Sequence, residues 1–320
     1  MTLDPQALLD EVMAAHSSLE GKHRDAFAPD CLKGKELQIR QLVKLVTNIL
    51  VAQPMLLEVD CRGDDEADVV VVGNVKSDIK ALVRALRMAG DPRGCPKRHY
   101  LFLGGYTTWA THGIDCLVVL MAYKVLYPHR VHLLRGKSEI ACLSRTHGVY
   151  DECKRRFNVK LWKTFIGMFN VLPVAAVVNE RIFAAAGGIS PLMFSDPALQ
   201  DRGALLNAIR SFPHPTFIPE SGLLCDLIWA EVTDEAKGWA EGNSGVSLAF
   251  TSQVADDFCA KFGFELICRS SVVRPGYEFL GDDKRVVTLF ATACNDDYGS
   301  RAGMMFTTSD LRCTLAVFNA

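Results

Sequence analysis

Three times in succession the chain runs from a short apolar segment through glycine into a longer amphipathic stretch. VVVVG at 69–73 leads into SDIKALVRALRMAG, HYLFLGG at 99–105 leads into residues 112–127, and VHLLRG at 131–136 leads into residues from about 138. Apolar runs of this length that end in glycine read as strands buried on both faces, and the stretches between them carry the helical period. Strand–loop–helix units in series make an α/β sheet, which binds ligands at loops beyond the carboxyl ends of its strands. The loops that open at Gly73, Gly104 and Gly136 therefore point at one place.

The flanks extend this picture. MTLDPQALLDEVM reads as a helix with Asp4 as N-cap and Pro5 in its first turn, and it lacks the basic and apolar regions of a secretory signal, so no targeting segment is expected. Residues 18–35 read as a polar connection and 36–53 as a second helix. IDCLVVLMAYKVLY carries Asp115 and Lys124 and is shorter than the roughly 20 residues a bilayer requires, so it reads as a core helix. After about residue 245 the text changes to short strand-like runs (VSLAF, FELICRS, GYEFL, RVVTLFA, GMMFTT, CTLAVF), expected to form a second sheet packed on the first with helices outside. No repeat or low-complexity linker interrupts the chain, and residues 1–320 are expected to form one domain.

Half the residues are apolar, enough for a large core, and 35 basic against 37 acidic side chains leave a net charge of −2. That balance gives no footprint for nucleic acid or an anionic membrane. The 11 cysteines are odd in number, with no CxxC pair and no histidine spacing suited to zinc, so they are expected to be reduced thiols in a cytoplasmic or nuclear protein.

YLFLGGYTTWATHGIDCLVVLMAYKVLYP, LLRGKSE, YDECKRRFNVKLWKTF, GGISP, GLLCDLIW and LICRSS resemble the phosphoprotein phosphatase family, most closely its type 1 serine/threonine catalytic subunit. The similarity spans nearly the whole chain. It implies a metallophosphatase fold, α/β in class, with a central β-sandwich of two mixed sheets flanked by helices. Members of the family carry GDxHG, GDxVDRG and GNHE at the three loops and further single histidines, which hold two metal ions that activate water against a phosphate ester.

Every one of those motifs departs from the pattern in this sequence. GDxHG reads GNVKS, with Asn74, Lys76 and Ser77 in place of a bridging Asp, a ligand His and a Gly. GDxVDRG reads GGYTTWA, which puts Gly105 and Thr108 at the two Asp positions and Trp109 at the phosphate-binding Arg. GNHE reads GKSE, with Lys137 for the Asn ligand and Ser138 for the general-acid His, and only Glu139 unchanged. Ala186 and Ser271 replace two ligand histidines, and Ser244 replaces the second phosphate-binding Arg. Glycine, alanine and a protonated lysine supply no metal donor, so the resemblance implies a pseudophosphatase: no enzyme, no metal and no cofactor. Lys76 and Lys137 are expected to stand in for the lost cations, pairing with Glu231, which occupies a family Asp position.

The resemblance also implies a docking groove, remote from the metals, that receives an extended RVxF-type peptide of a regulatory or scaffold protein by strand addition. Ile182, Leu266, Phe279, Met305, Leu311, Cys313 and Leu315 match its positions and all remain apolar, although Asp282 stands where a Lys is expected. The plainer alternative is that alternating apolar residues in strands face a core. A second function stays open in which Lys76, Lys137, Ser138 and Ser271 cradle an anion, phosphoresidue or small ligand without hydrolysing it. His112, His147, Glu139, Asp296 and Asp297 share no recognisable metal spacing, which leaves a new activity without a motif.

Overall fold

The computed structural model describes residues 3–17, 30–64, 67–108, 111–146, 148–292 and 301–319. Fourteen strands are formed among them: β1 (Leu56–Val59), β2 (Asp68–Val72), β3 (Arg98–Phe102), β4 (Val131–Leu133), β5 (Ala175–Val178), β6 (Ile182–Ala185), β7 (Glu231–Val232), β8 (Trp239–Glu241), β9 (Leu248–Phe250), β10 (Leu266–Ser270), β11 (Tyr277–Leu280), β12 (Val286–Leu289), β13 (Arg301–Thr308) and β14 (Cys313–Asn319).

The three glycine-terminated runs become β2, β3 and β4, parallel neighbours in a five-stranded sheet ordered β14-β13-β2-β3-β4. Their uninterrupted apolar character has a direct cause. Along β2, Val69 and Val71 face the opposing sheet while Val70 and Val72 face helices, so both sides of the strand are covered. The second sheet has six strands in the order β1-β5-β6-β10-β12-β11. Between the sheets lies an apolar layer that includes Leu57, Val71, Leu101, Leu134, Ala184, Val287 and Met305. Two mixed sheets face to face with helices outside is the expected metallophosphatase sandwich.

Two details differ from the reading of the sequence. The strands beyond residue 245 do not form a sheet of their own: β13 and β14 extend the first sheet through antiparallel pairing with β2, whereas β10, β11 and β12 join β1, β5 and β6. Strands from the two halves of the chain thus complete each sheet. There is also a small third sheet, β7-β9-β8, built from two- and three-residue strands.

Helices begin and stop where side chains satisfy their ends. The helix Pro5–Ser17 is capped by Asp4 Oδ1, which accepts from the backbone N–H of Gln6 and Ala7 at 3.0 and 3.2 Å. The helix Ile79–Ala89 is capped by Asp78 and ends at Gly90, where φ is 80°. Helix Gly113–Leu126 is buried almost all round, under Pro5–Ser17 and Glu36–Val51, which explains its apolar sequence. Its Lys124 is fully buried and donates to the carbonyls of Pro128 and Val131, both at 2.8 Å. None of the described helices is long and apolar enough to cross a membrane, and the ten described cysteines are all free thiols.

Candidate functional site

The loops after β2, β3 and β4 do converge, and backbone contact holds them together. Val75 and Lys76 both donate their N–H to the carbonyl of Gly105, at 3.1 and 2.8 Å, and Thr108 N–H donates to Ser77 Oγ at 2.8 Å. The loop after β4 comes so close to the loop after β3 that a Cβ on Gly104 would lie 2.3 Å from the nitrogen of Gly136. Behind both, the fully buried Glu139 carboxylate accepts from the N–H groups of Gly105 and Tyr106 at 2.9 Å each and Gly136 at 3.0 Å. Burial pushes its pKa up, and these three donors pull the other way. Lys76 and Ser77 take positive φ values of 47° and 60°, a conformation tolerated here within this cross-linked frame.

A cavity of about 320 Å³ opens on these loops. Asn74, Lys76, Gly105, Thr108, Lys137, Ser138, Ala186 and Ser271 all line it, as the sequence placed them. Ala186 follows β6 and Ser271 follows β10, so the six-stranded sheet supplies the far wall. Leu143, Ser270 and Val272 complete the lining; Ser270 and Val272 flank Ser271 in the segment that carries the resemblance, while no motif marks Leu143. Ser244 does not line it; its N–H donates to Glu231 at 3.1 Å from an exposed loop. Trp109, His147, Asp296 and Asp297 lie outside the described residues. Among the described residues no carboxylate or imidazole lines the cavity.

Its electrostatics are set by cations. Lys137 Nζ lies 3.8 Å from Glu231 Oε1 and 5.0 Å from the centre of the Trp229 ring, a loose form of the pairing expected for this lysine. Burial, with Arg269 and Lys76 adding repulsion, lowers the pKa of Lys137 to about 8 against the pull of Glu231. Lys76 Nζ sits 5.4 Å from the centre of the Phe290 ring. Near enough to Lys137 to repel it, Arg269 on β10 is fully buried and donates to the carbonyls of Gly187 and Ala230 and to Thr288 Oγ1, at 2.6, 3.1 and 3.2 Å. Burial lowers its pKa to about 10, so it stays charged at neutral pH. Ser270 Oγ is buried on β10 and makes no hydrogen bond among the described residues.

A second feature lies at the open end of the inter-sheet core. Ile182 and Met305 belong to that core, and Leu266, Phe279, Leu311 and Leu315 pack against it partly exposed. Cys313 is exposed on β14, opposite Thr307, and Leu315 is opposite Met305 in the same hairpin. β14 is an edge strand, so its outer N–H and C=O groups have no neighbouring strand among the described residues.

Residues 68–270, more than half of the chain, match the model of the calcineurin-like phosphoesterase family. Among solved structures, a serine/threonine phosphatase from Saccharomyces cerevisiae, described as similar to human phosphatase PP5, superposes with a TM-score of 0.78. It is 20% identical over 89% of this chain and 90% of that one. A cold-active protein-tyrosine phosphatase from a psychrophilic Shewanella species gives a TM-score of 0.52 at 16% identity, covering 83% of each chain. Sheet order, loop convergence and sequence match lead to one conclusion: the chain belongs to the calcineurin-like phosphoesterase family.

Proposed function

We propose that this chain is a pseudophosphatase of the type 1 serine/threonine phosphatase kind, which binds regulatory or scaffold proteins and hydrolyses nothing by the family mechanism. The observation that carries the reading is the donor set of the cavity. Two divalent ions need several carboxylate, imidazole or amide donors, and the lining offers one carboxamide, a few hydroxyls and two ammonium groups that repel cations. These residues do not fit a binuclear centre. The ammonium of Lys137, paired with Glu231, fills the role of local charge balance instead.

Binding then rests on the groove beside β14, where an extended RVxF-type peptide would add as a further strand and seat its two apolar side chains among Leu266, Phe279 and Leu315. One purified sample tests both halves. With manganese supplied, hydrolysis of an aryl phosphate should stay at the blank rate, and a labelled RVxF peptide should bind. Phe279→Ala should weaken that binding about tenfold, as expected for an aromatic anchor. Turnover that disappears on chelation would reject the first half, and peptide affinity indifferent to Phe279→Ala the second.

A second reading, an anion sensor in the old cavity, is favoured by one arrangement: Lys76, Lys137 and Ser270, whose hydroxyl makes no hydrogen bond among the described residues, line one space, and the buried Arg269 cation acts on Lys137. Sulfate, which keeps its charge across the neutral range, is the suitable probe. Lys137 loses its proton as pH rises through about 8, so sulfate affinity should be full below that value and fall above it. Lys137→Ala should weaken binding about tenfold at pH 7 and flatten the profile. A profile that keeps its shape in that variant would count against this reading.

A further inference from the structure

Away from the cavity, three residues distant in sequence meet where the helix Pro5–Ser17 crosses the start of the helix Gly113–Leu126. They are His16, His112 and Asp115, and one potential metal-binding atom from each lies within 4.8 Å of the others. His16 and Asp115 are buried to within 2%. His16 Nε2 stands 3.1 Å from Asp115 Oδ1, and His112 Nδ1 stands 3.7 Å from Asp115 Oδ2. The two imidazole rings meet edge to face with centroids 5.1 Å apart. In a tetrahedral zinc site, bond lengths of 2.0–2.2 Å put neighbouring donors about 3.3 Å apart, close to the His16 Nε2 to Asp115 Oδ1 separation.

Two further observations single the cluster out. His112 Nδ1 is a buried atom with no hydrogen bond of ordinary length among the described residues; at 3.7 Å its neighbour Asp115 Oδ2 is in ion-pair range only. The Asp115 carboxylate also has an outer partner. The Arg156 guanidinium is shared by three carboxyl groups, donating to Asp115 Oδ2, to Glu152 at 2.6 Å and to Asp30 at 2.7 Å. An arginine on the far oxygen of a ligating carboxylate is a common outer partner in metal sites.

We infer that His16, His112 and Asp115 form a zinc site that fastens the N-terminal helix to the buried helix Gly113–Leu126. His16 binds through Nε2 and carries its ring proton on Nδ1, His112 binds through Nδ1 and carries its own on Nε2, and water completes the tetrahedron. Both imidazoles are then neutral, so metal capture from that state releases no proton. The role is structural, because none of these residues lines the cavity beside the three loops.

Zinc content and melting temperature of the full chain test the assignment. After chelator treatment and titration with zinc alone, the protein should take up one equivalent and melt a few degrees higher. His112→Gln, at a position about one-third exposed and safe for folding, should lose at least tenfold in zinc affinity and most of the thermal shift. Cys31, whose Sγ is 3.8 Å from Asp115 Oδ1, provides the control, and Cys31→Ser should bind as the unaltered chain does. Lys137→Ala, in the old cavity, should also leave uptake unchanged. Failure of the unaltered chain to take up zinc would overturn the proposal. So would zinc binding that survives in His112→Gln, or that is lost in Cys31→Ser or Lys137→Ala.

Discussion

Gly104→Ala should destabilise the protein by about 4 kcal/mol, the sum of two effects that can be separated. Gly104 has φ +91°, where an L side chain is strained, and a Cβ there would fall 2.3, 2.6 and 2.9 Å from the Gly136 nitrogen, the Gly136 Cα and the Arg135 carbonyl carbon. These are backbone atoms at the end of β4. They are held in place by β3–β4 pairing and by the bond from Leu134 N–H to the Phe102 carbonyl at 2.9 Å, so they yield only if the sheet end yields. Gly63 is the reference: its φ is +85° and a Cβ there meets nothing within 4 Å, so Gly63→Ala reports the backbone strain alone, about 1 kcal/mol. Urea unfolding of both variants gives the difference. Equal losses would mean that the two loops do not clasp one another.

That clasp explains what was legible in the sequence and what was not. Strands with apolar residues on both faces and a closing glycine declare themselves because two packed layers leave no polar position, as at VVVVG, HYLFLGG and VHLLRG. The convergence of their loops followed from sheet topology, and with it the company of Asn74, Gly105 and Lys137. Assignment of the later strands to sheets was not readable. FELICRS and GMMFTT look alike as text, yet one pairs with β6 and β12 and the other with β2, a choice made by long-range packing. The third sheet escaped notice because two- and three-residue strands such as Glu231–Val232 have no period to detect.

The same limit applies to sites. Ser270 and Arg269 lie in the quoted segment LICRSS, but their burial follows from the register of β10 against β6 and β12, which the sequence does not display. His16, His112 and Asp115 escaped a search for zinc spacing because two helices that cross bring them together, and a crossing leaves no interval in the sequence. Only the Asp115 and His112 pair, three apart at the start of one helix, was within reach of local reasoning.

Glu139→Ala is the other substitution expected to be severe, at about 4 kcal/mol or more. Its carboxylate carries no metal-ligand role in our reading. Instead Oε2 accepts from Gly105 and Gly136 and Oε1 from Tyr106, which joins the loops after β3 and β4 through one buried side chain. Alanine would strand three buried N–H groups, each costing about 1–3 kcal/mol, and leave a void that the clasped backbones are too close to fill. Glutamine keeps an acceptor on one side but turns an NH₂ toward N–H groups on the other, so Glu139→Gln should fall between alanine and the unaltered chain. Thermal melting of the three proteins checks the order. If Glu139→Ala melts with the unaltered chain, the loops are held by something else. If the order holds, this glutamate is kept for the frame that the loops after β3 and β4 share.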